Sequence, residues 1–375
     1  MYRMSSNTHG RRRLGAIALA ILALSIATAA YAAGAPTASQ LIASAGKVSD
    51  TSFCGQKNVT LGIADGFGIN AWSAYSLAAV RAEASKCPNV KVISVAGRGD
   101  LQKSISDINS LVSQGASAIV VIPDFGPAEL PAIKSATAAG TKVVAWGAGP
   151  GGTPGADYVA YVDWNPRAAG RTFARWMVKA LHGKGNVLYM GGPAGNPVGV
   201  GMLAGMKDVF PKYPRIKMLS GYKDWVVDNW DAATAAKVAT ALIAKYPKID
   251  GIVSEGAFEM PAVMRVFATA GRPLPKITAL DSNVIGCAYK KYKPGHQSLE
   301  ITTISSRTWL GRIAARKAIA AAQGQSNGEP SILNLPLYED SLAGKAPKCV
   351  ASRPPSAILS SQMTDKQVAQ FGTFG

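Results

Sequence analysis

The stretch GASAIVVIPDFGPAELPAIKSATAAGTKVVAW, residues 115–146, decides the reading of this chain. It holds two short apolar runs, Ala118–Ile122 and Lys142–Trp146, in which apolar side chains follow one another without polar alternation. Such runs are expected where helices cover both faces of a parallel sheet. Between them Ala128–Ala139 carries its apolar residues at helical spacing, after a turn marked by Pro and Gly. Strand, helix and strand in about 30 residues make one parallel crossover unit.

The same alternation extends in both directions from Lys57. Strands are predicted at Val59–Ala64, Val90–Val95 and Tyr158–Val162, then at Asn186–Met190, Ile216–Ser220, Gly251–Ser254, Ile277–Leu280 and Leu299–Ile304. Helical patterns cover Trp72–Ser85, Leu101–Gln114, Ala168–Leu181, Ala232–Tyr246 and Leu310–Gln323. About five strands precede Asp163 and about five follow it, so the chain reads as α/β with two doubly wound parallel-sheet domains. The remaining residues, 326–375, are richer in Pro, Ser and Gly, and are expected to form an irregular cover with one last strand at Leu333–Tyr338. Ligands of open parallel sheets bind outside the carboxyl ends of the strands, which directs attention to the loops there.

The N-terminus reads as a cleavable export signal over residues 1–32. Arg11, Arg12 and Arg13 precede an apolar run, Leu14 to Ile26, and a small-x-small site at Ala30-Tyr31-Ala32. That run is shorter than the roughly 20 apolar residues needed to span a bilayer. The formal charge is +18, and loss of the four arginines of the signal leaves about +14. Basic residues such as Arg167, Arg171, Arg175 and Lys179 are scattered over helix faces, and no basic tract interleaves with stacking aromatics. A solvated basic surface is therefore expected, and no nucleic-acid partner. Four cysteines in an exported chain suggest two disulfides. Cys54 lies just before the first strand and Cys87 just after the first helix, whose end returns to the start of that strand. Cys54–Cys87 is thus the favoured pairing, with Cys287–Cys349 tying down the C-terminal extension.

The order and spacing of four segments carry a resemblance: Ile63-Ala64-Asp65-Gly66-Phe67-Gly68-Ile69-Asn70-Ala71-Trp72, Gly115–Pro123, Tyr161-Val162-Asp163-Trp164-Asn165 followed by Gly170, and Ile277-Thr278-Ala279-Leu280-Asp281. From Lys57 to about Gln325 the chain resembles the type I periplasmic binding proteins of ABC importers, in the ribose-binding-like sugar branch. The resemblance implies a monomeric periplasmic receptor that closes on a small polar ligand and docks on a membrane permease, without a cofactor. Its domains would be 57–162 with 307–325, and 163–306 with 326–375. Three chain crossings near Asp163, Asp281 and Ser306 would form the hinge.

A sugar or polyol needs flat aromatic faces against its C–H surfaces and planar amides or carboxylates against its hydroxyls. Trp72, Trp146, Trp164 and Trp225 all stand at or near strand ends. Asn70 matches the family's polar residue after the first strand and Asp281 its acid after the ninth. Glu255 and Glu259 follow the eighth strand, where the family presents an amide or acid. Asp163 and Asn165 are ligand or hinge candidates, with helix capping as their alternative role. Ser306 stands in the last crossover in place of a longer amide. The chain departs from the sugar-binding pattern after the fourth strand, where Trp146-Gly147-Ala148-Gly149 replaces Asp-Arg, and at Gly199-Val200-Gly201, where the second arginine is absent. Both departures point toward a linear polyol, a modified sugar or another small neutral solute.

Rival classes find less support. Gly147-x-Gly149-x-x-Gly152 is followed by Pro154 and a strand where a dinucleotide fingerprint requires a helix, and Gly199-x-Gly201-x-x-Ala204 lies too far from its strand. Past the signal only His182 and His296 remain, with no metal spacing and no Gly-x-Ser-x-Gly elbow, so an enzyme is not expected. A glycosidase-like use of Glu255 with Glu259 would need a second reacting group placed opposite. A repressor of this fold would need an N-terminal helix-turn-helix where the signal stands. A chemoreceptor or sensor accessory binding the same ligand remains the alternative to import.

Overall fold

A computed structural model describes Met1, residues 36–46 and residues 49–374. The export-signal expectation concerns residues 1–32, which apart from Met1 lie outside the described residues. A short helix, α1 (Ala38–Gly46), comes first. The first half then runs β1 (Val59–Asp65), α2 (Ala71–Ala84), β2 (Val90–Ala96), α3 (Leu101–Ser113), β3 (Ala118–Ile122), α4 (Leu130–Ala138), β4 (Lys142–Trp146) and β5 (Ala160–Trp164). The second half runs α5 (Pro166–Ala180), β6 (Gly185–Gly191), α6 (Pro197–Lys207), β7 (Ile216–Met218), β8 (Val226–Val227), α7 (Ala232–Lys245), β9 (Gly251–Ser254), α8 (Met260–Thr269), β10 (Lys276–Leu280), α9 (Asn283–Tyr292) and β11 (Ile301–Ile304). The chain closes with α10 (Leu310–Ala322), β12 (Ile332–Leu333), β13 (Leu337–Asp340) and α11 (Asp365–Phe371).

The strands form two sheets, in the orders β12-β5-β4-β3-β1-β2 and β13-β11-β10-β9-β6-β7, with β8 also paired to β6. The first sheet is parallel throughout, and β3, residues 143–146 of β4 and residues 61–65 of β1 are buried, as their unbroken apolar runs required. The second is parallel except for β13, which runs antiparallel to β11 at the edge. One core passes from α2 and α10 on the first sheet through Trp164 and Phe173 to Tyr189 and Met202 of the second half. The outer face of each sheet has its own core. Helix starts follow side-chain chemistry: Asn70, Asp100, Asn165, Asn196, Asp231 and Ser282 each accept a backbone N–H of the first turn. Both disulfides join the expected partners, Cys54–Cys87 with Cα atoms 5.2 Å apart and Cys287–Cys349 at 4.4 Å.

Four local expectations are corrected. Strand β5 covers Ala160–Trp164 instead of Tyr158–Val162, because Tyr158 bridges back to Pro154 and its hydroxyl donates to Gly151 O. Asp163 and Trp164 consequently lie in the strand itself. The expected strand at Leu333–Tyr338 splits around Pro336, which has no N–H to donate. Its two pieces join different sheets, so the tail does not belong wholly with the second half. The chain crosses between sheets after β5, between β11 and α10, and between β12 and β13; Asp281 ends β10 and is followed by α9 of the same half.

The tail is fastened tightly where it passes α9. The Asn283 amide donates to Val350 O, Arg353 O and Pro354 O, and its carbonyl accepts Val350 N–H at 2.8 Å. A Cβ at Gly286 would meet Lys348 O at 2.0 Å, so this passage needs glycine. Gly286→Ala is expected to cost about 1–3 kcal/mol in denaturant unfolding, whereas Gly295→Ala, with no atom within 4 Å of the added carbon, should be nearly neutral.

Candidate functional site

A cavity of about 330 Å³ lies between the carboxyl ends of the two sheets. Its aromatic walls are Phe67 and Trp72 from the loop after β1 and the start of α2, and Trp230 and Phe258 from the loops after β8 and β9. Asp124, after β3, and Asn196, capping α6, face each other across the mouth, where Asn196 Nδ2 donates to Asp124 O at 3.0 Å. Phe67 meets Trp230 edge-on, with centroids 5.2 Å apart, so the two halves are closed on each other in this structure. Trp230 can lie there because Gly192 has no side chain: a Cβ would fall 2.1 Å from the indole.

Arg307 closes the floor. It is only 6% exposed, and its backbone adopts φ 55°, a strained conformation for a residue with a side chain. Nε donates to Asp163 Oδ1 at 3.1 Å and Nη2 to Gly147 O at 3.1 Å. Its guanidinium carbon lies 5.1 Å from the centroid of Trp72 and 4.7 Å from that of Trp164, placing the cation against two indole faces. Asp163 also accepts from the Tyr161 hydroxyl at 2.7 Å and from Trp164 N–H. Burial still raises its pKa, against the pull of Arg307.

Carboxyl groups crowd both walls. Glu255 accepts from the Tyr189 hydroxyl and, at 3.0 Å, from Gly192 N–H. Glu259 accepts from Ser254 Oγ at 2.9 Å, while its Oε2 is buried with no partner. Asp228 caps the turn to Trp230 through one oxygen and leaves the other buried and unpaired. Burial first, and then neighbouring carboxylates, push Asp228 up to about 9. Burial pushes Glu259 up to about 7, with Glu255 adding to the effect. Behind the first-half wall Asp65 is raised to about 6 by burial, and in the wall Asp124 rises well above the usual range through burial beside Asp65 and Glu129.

Of the residues expected from sequence, Asn70, Trp72, Glu255, Glu259 and Ser306 line the cavity. Trp146, Asp163, Trp164, Asn165, Trp225 and Asp281 do not. Trp146 is fully buried and stacks on Trp72 at 5.3 Å. Asn165 caps α5 through Ala168 N–H. Trp225 donates to Gly192 O at 2.8 Å and fills the space that a side chain at Gly199 would take. Both oxygens of Asp281 are used up, accepting Ser306 N–H at 2.6 Å, Ser360 N–H at 2.8 Å and Ser360 Oγ at 2.6 Å. It fastens the second crossover and the tail. Ser306 in turn accepts Trp72 Nε1–H on its carbonyl at 2.7 Å, which orients the indole toward the cavity. Phe67, Asp124, Asn196, Trp230, Phe258 and Arg307 were not singled out from sequence; each follows a strand end, the signal that would have found them.

The family described as periplasmic binding protein domain matches residues 63–326. The chain belongs to this periplasmic binding protein family. Among curated relatives, this periplasmic binding protein is 29% identical over 198 residues to the xylitol-binding protein of Mycolicibacterium smegmatis, a match that covers 52% of this chain and spans 55% of that relative's length. It is 27% identical over 247 residues to the D-xylose-binding periplasmic protein of Escherichia coli, covering 65% of this chain and 72% of the relative. The fructose-binding periplasmic domain of a hybrid two-component system shares the fold, with a TM-score of 0.64 at 17% identity over 74% of this chain and 89% of that one.

The buried carboxyls set the pH response of the empty protein. Their folded pKa values lie above the unfolded ones, so the native state holds protons that the unfolded chain has already released. The stability they contribute is full below about pH 4 and is lost as pH rises through about 6 to 7. Chemical denaturation at pH 5 and pH 8 should therefore show the ligand-free protein weaker at pH 8, on the order of 2–3 kcal/mol. Glu259→Gln should reduce this difference and leave the part due to Asp65, Glu129 and Glu339, which are raised to about 6, 7 and 7.

Proposed function

We propose that this chain is an extracytoplasmic receptor that captures a small polyhydroxylated solute, the size of a pentose or pentitol, and passes it to an ABC permease. The observation that carries the reading is the cavity itself, in which Trp72 and Trp230 offer apolar faces while Asn70, Asp124, Glu255, Glu259 and Arg307 offer hydrogen-bonding groups from both halves. At about 330 Å³ it stands at the small end of ligand sites, which run from about 300 to 1,000 Å³. A neutral solute with several hydroxyls fits this lining, because hydroxyls can donate to the unpaired oxygen of Glu259 and accept from Arg307 without adding a charge. The curated relatives are named for xylitol and D-xylose, ligands of this size and class. Asp163 and Trp164 act one step behind the ligand, by holding Arg307.

The arginine missing after β4 has its counterpart in Arg307, so a ring sugar and its open polyol are both candidates. Import is favoured by neighbours of this fold whose names place them in ABC sugar transporters; a sensory partner would use the same cavity, as the two-component neighbour of this fold suggests. The ligand closes the cleft by binding both halves at once, selecting the conformation in which all contacts are made.

Titration calorimetry against xylitol, D-xylose, the arabinoses, hexoses, amino acids and nucleosides tests the reading. One pentitol or pentose should bind with micromolar or better affinity and be recovered unchanged. Trp72→Ala should weaken it by at least about ten-fold, given that a stacked aromatic contributes about 0.5–1.5 kcal/mol beyond its area. Binding of an amino acid or nucleoside, with every sugar and polyol silent, would overturn it.

A further inference from the structure

Most of the excess positive charge belongs to one half of the protein. Residues 165–306 hold nineteen Lys and Arg against nine Asp and Glu, whereas 57–164 with 307–333 hold twelve against nine. Four of those nine second-half acids, Asp228, Glu255, Glu259 and Asp281, are buried and do little to offset the surface field.

Within this half the cations gather at one end. The strands of the second sheet begin side by side: Gly185 pairs with Ile216, Gly251 with Val187 and Lys276, and Ile277 with Ile301. The segments that lead into these starts, 179–184, 212–217, 245–250, 272–276 and 290–300, hold twelve Lys and Arg and two acids, Asp250 and Glu300. Lys248 pairs with Asp250 at 3.2 Å and Lys293 with Glu300 at 2.8 Å, and among the described residues no other cation of these segments has an ion pair. Lys179, Lys212, Lys217, Lys245, Lys290 and Lys291 are exposed. The cavity lies at the opposite, carboxyl ends of the same strands.

We propose that this basic pole docks the protein on an anionic membrane surface, through the headgroups of acidic phospholipids. Neither of the two described cavities lies at the pole. Lysine presents a hydrated point charge on a flexible stem, suited to a diffuse field of headgroup charges. A nucleic acid would also be attracted, but its bases would need open aromatic faces. Those of Tyr246, Tyr292 and Tyr289 are already covered by Lys245, Lys291 and Lys293, at 5.1, 5.2 and 5.9 Å from the ring centroids. Half-buried tyrosines among lysines are at home in a headgroup layer. With the cleft at the other end, docking should leave solute binding unaltered.

Co-sedimentation of the disulfide-intact protein with vesicles tests this, using phosphatidylcholine alone and roughly two-to-one phosphatidylcholine and phosphatidylglycerol. Binding should be confined to the anionic vesicles and be released as salt rises from roughly 0.05 to 0.5 M. The triple change Lys245→Gln, Lys290→Gln, Lys291→Gln should weaken it about a hundred-fold, at about five-fold per lysine lost. The corresponding Glu triple, which reverses the charge, should weaken it further, and both variants should keep the wild-type thermal midpoint. Equal binding to neutral vesicles, wild-type binding by the folded Gln and Glu triples, or preference for duplex DNA over anionic vesicles at the same salt would each overturn the proposal.

Discussion

One buried cation holds the centre of this protein together. The guanidinium of Arg307 lies against Trp72 and Trp164, pairs with Asp163 and reaches Gly147 O. Those partners come from the start of α2, the end of β4 and the end of β5, where the first crossover begins, while Arg307 itself stands in the second. A single side chain thus ties two of the three connections between the sheets to the floor of the cavity. Removing it would leave Asp163, fully buried, without its countercharge, a loss of about 3–5 kcal/mol. The strained backbone at Arg307 is the cost of aiming a long side chain back across the strand end.

The cavity built on this floor is kept in an unfinished electrostatic state. An oxygen of Glu259 is buried in the lining without a partner, and Asp124 is raised by burial and by its neighbours Asp65 and Glu129. Leaving such groups unpaired costs free energy that a hydroxyl-bearing solute can return. This gives binding a direction: the contacts between halves, Asn196 with Asp124 and Phe67 with Trp230, are few, and a ligand touching both walls supplies what they lack. Apolar walls alone would bind many solutes. In the proposed receptor, the carboxyl groups would choose those that can donate.

Much of the fold was legible because apolar runs without alternation, such as Ala118–Ile122, have few alternatives to a doubly covered parallel strand. The disulfides followed from the same topology, since the end of α2 must return to the start of β1. The site was legible only in part. Trp72 and Glu259 stand beside their own strand ends and could be found locally. Arg307 also follows a strand end, but its role could not be read there, because its partners Gly147 and Asp163 are 160 and 144 residues away, and a search after β4 finds only glycine and alanine. Asp281 looked equally available at its strand end, yet Ser306 and Ser360, the latter 79 residues on, occupy both its oxygens. Local sequence shows which side chains reach a strand end; long-range partners decide which remain free for a ligand.

The central claim is that the cavity belongs to a cleft between two sheet-based halves, closed as seen here when both walls are engaged. Small-angle X-ray scattering of the protein with and without its tightest sugar or polyol tests it most directly. The account expects the loaded protein to have the smaller radius of gyration and a profile matching this closed arrangement, with the empty protein more extended. Superimposable profiles at saturating ligand would contradict it.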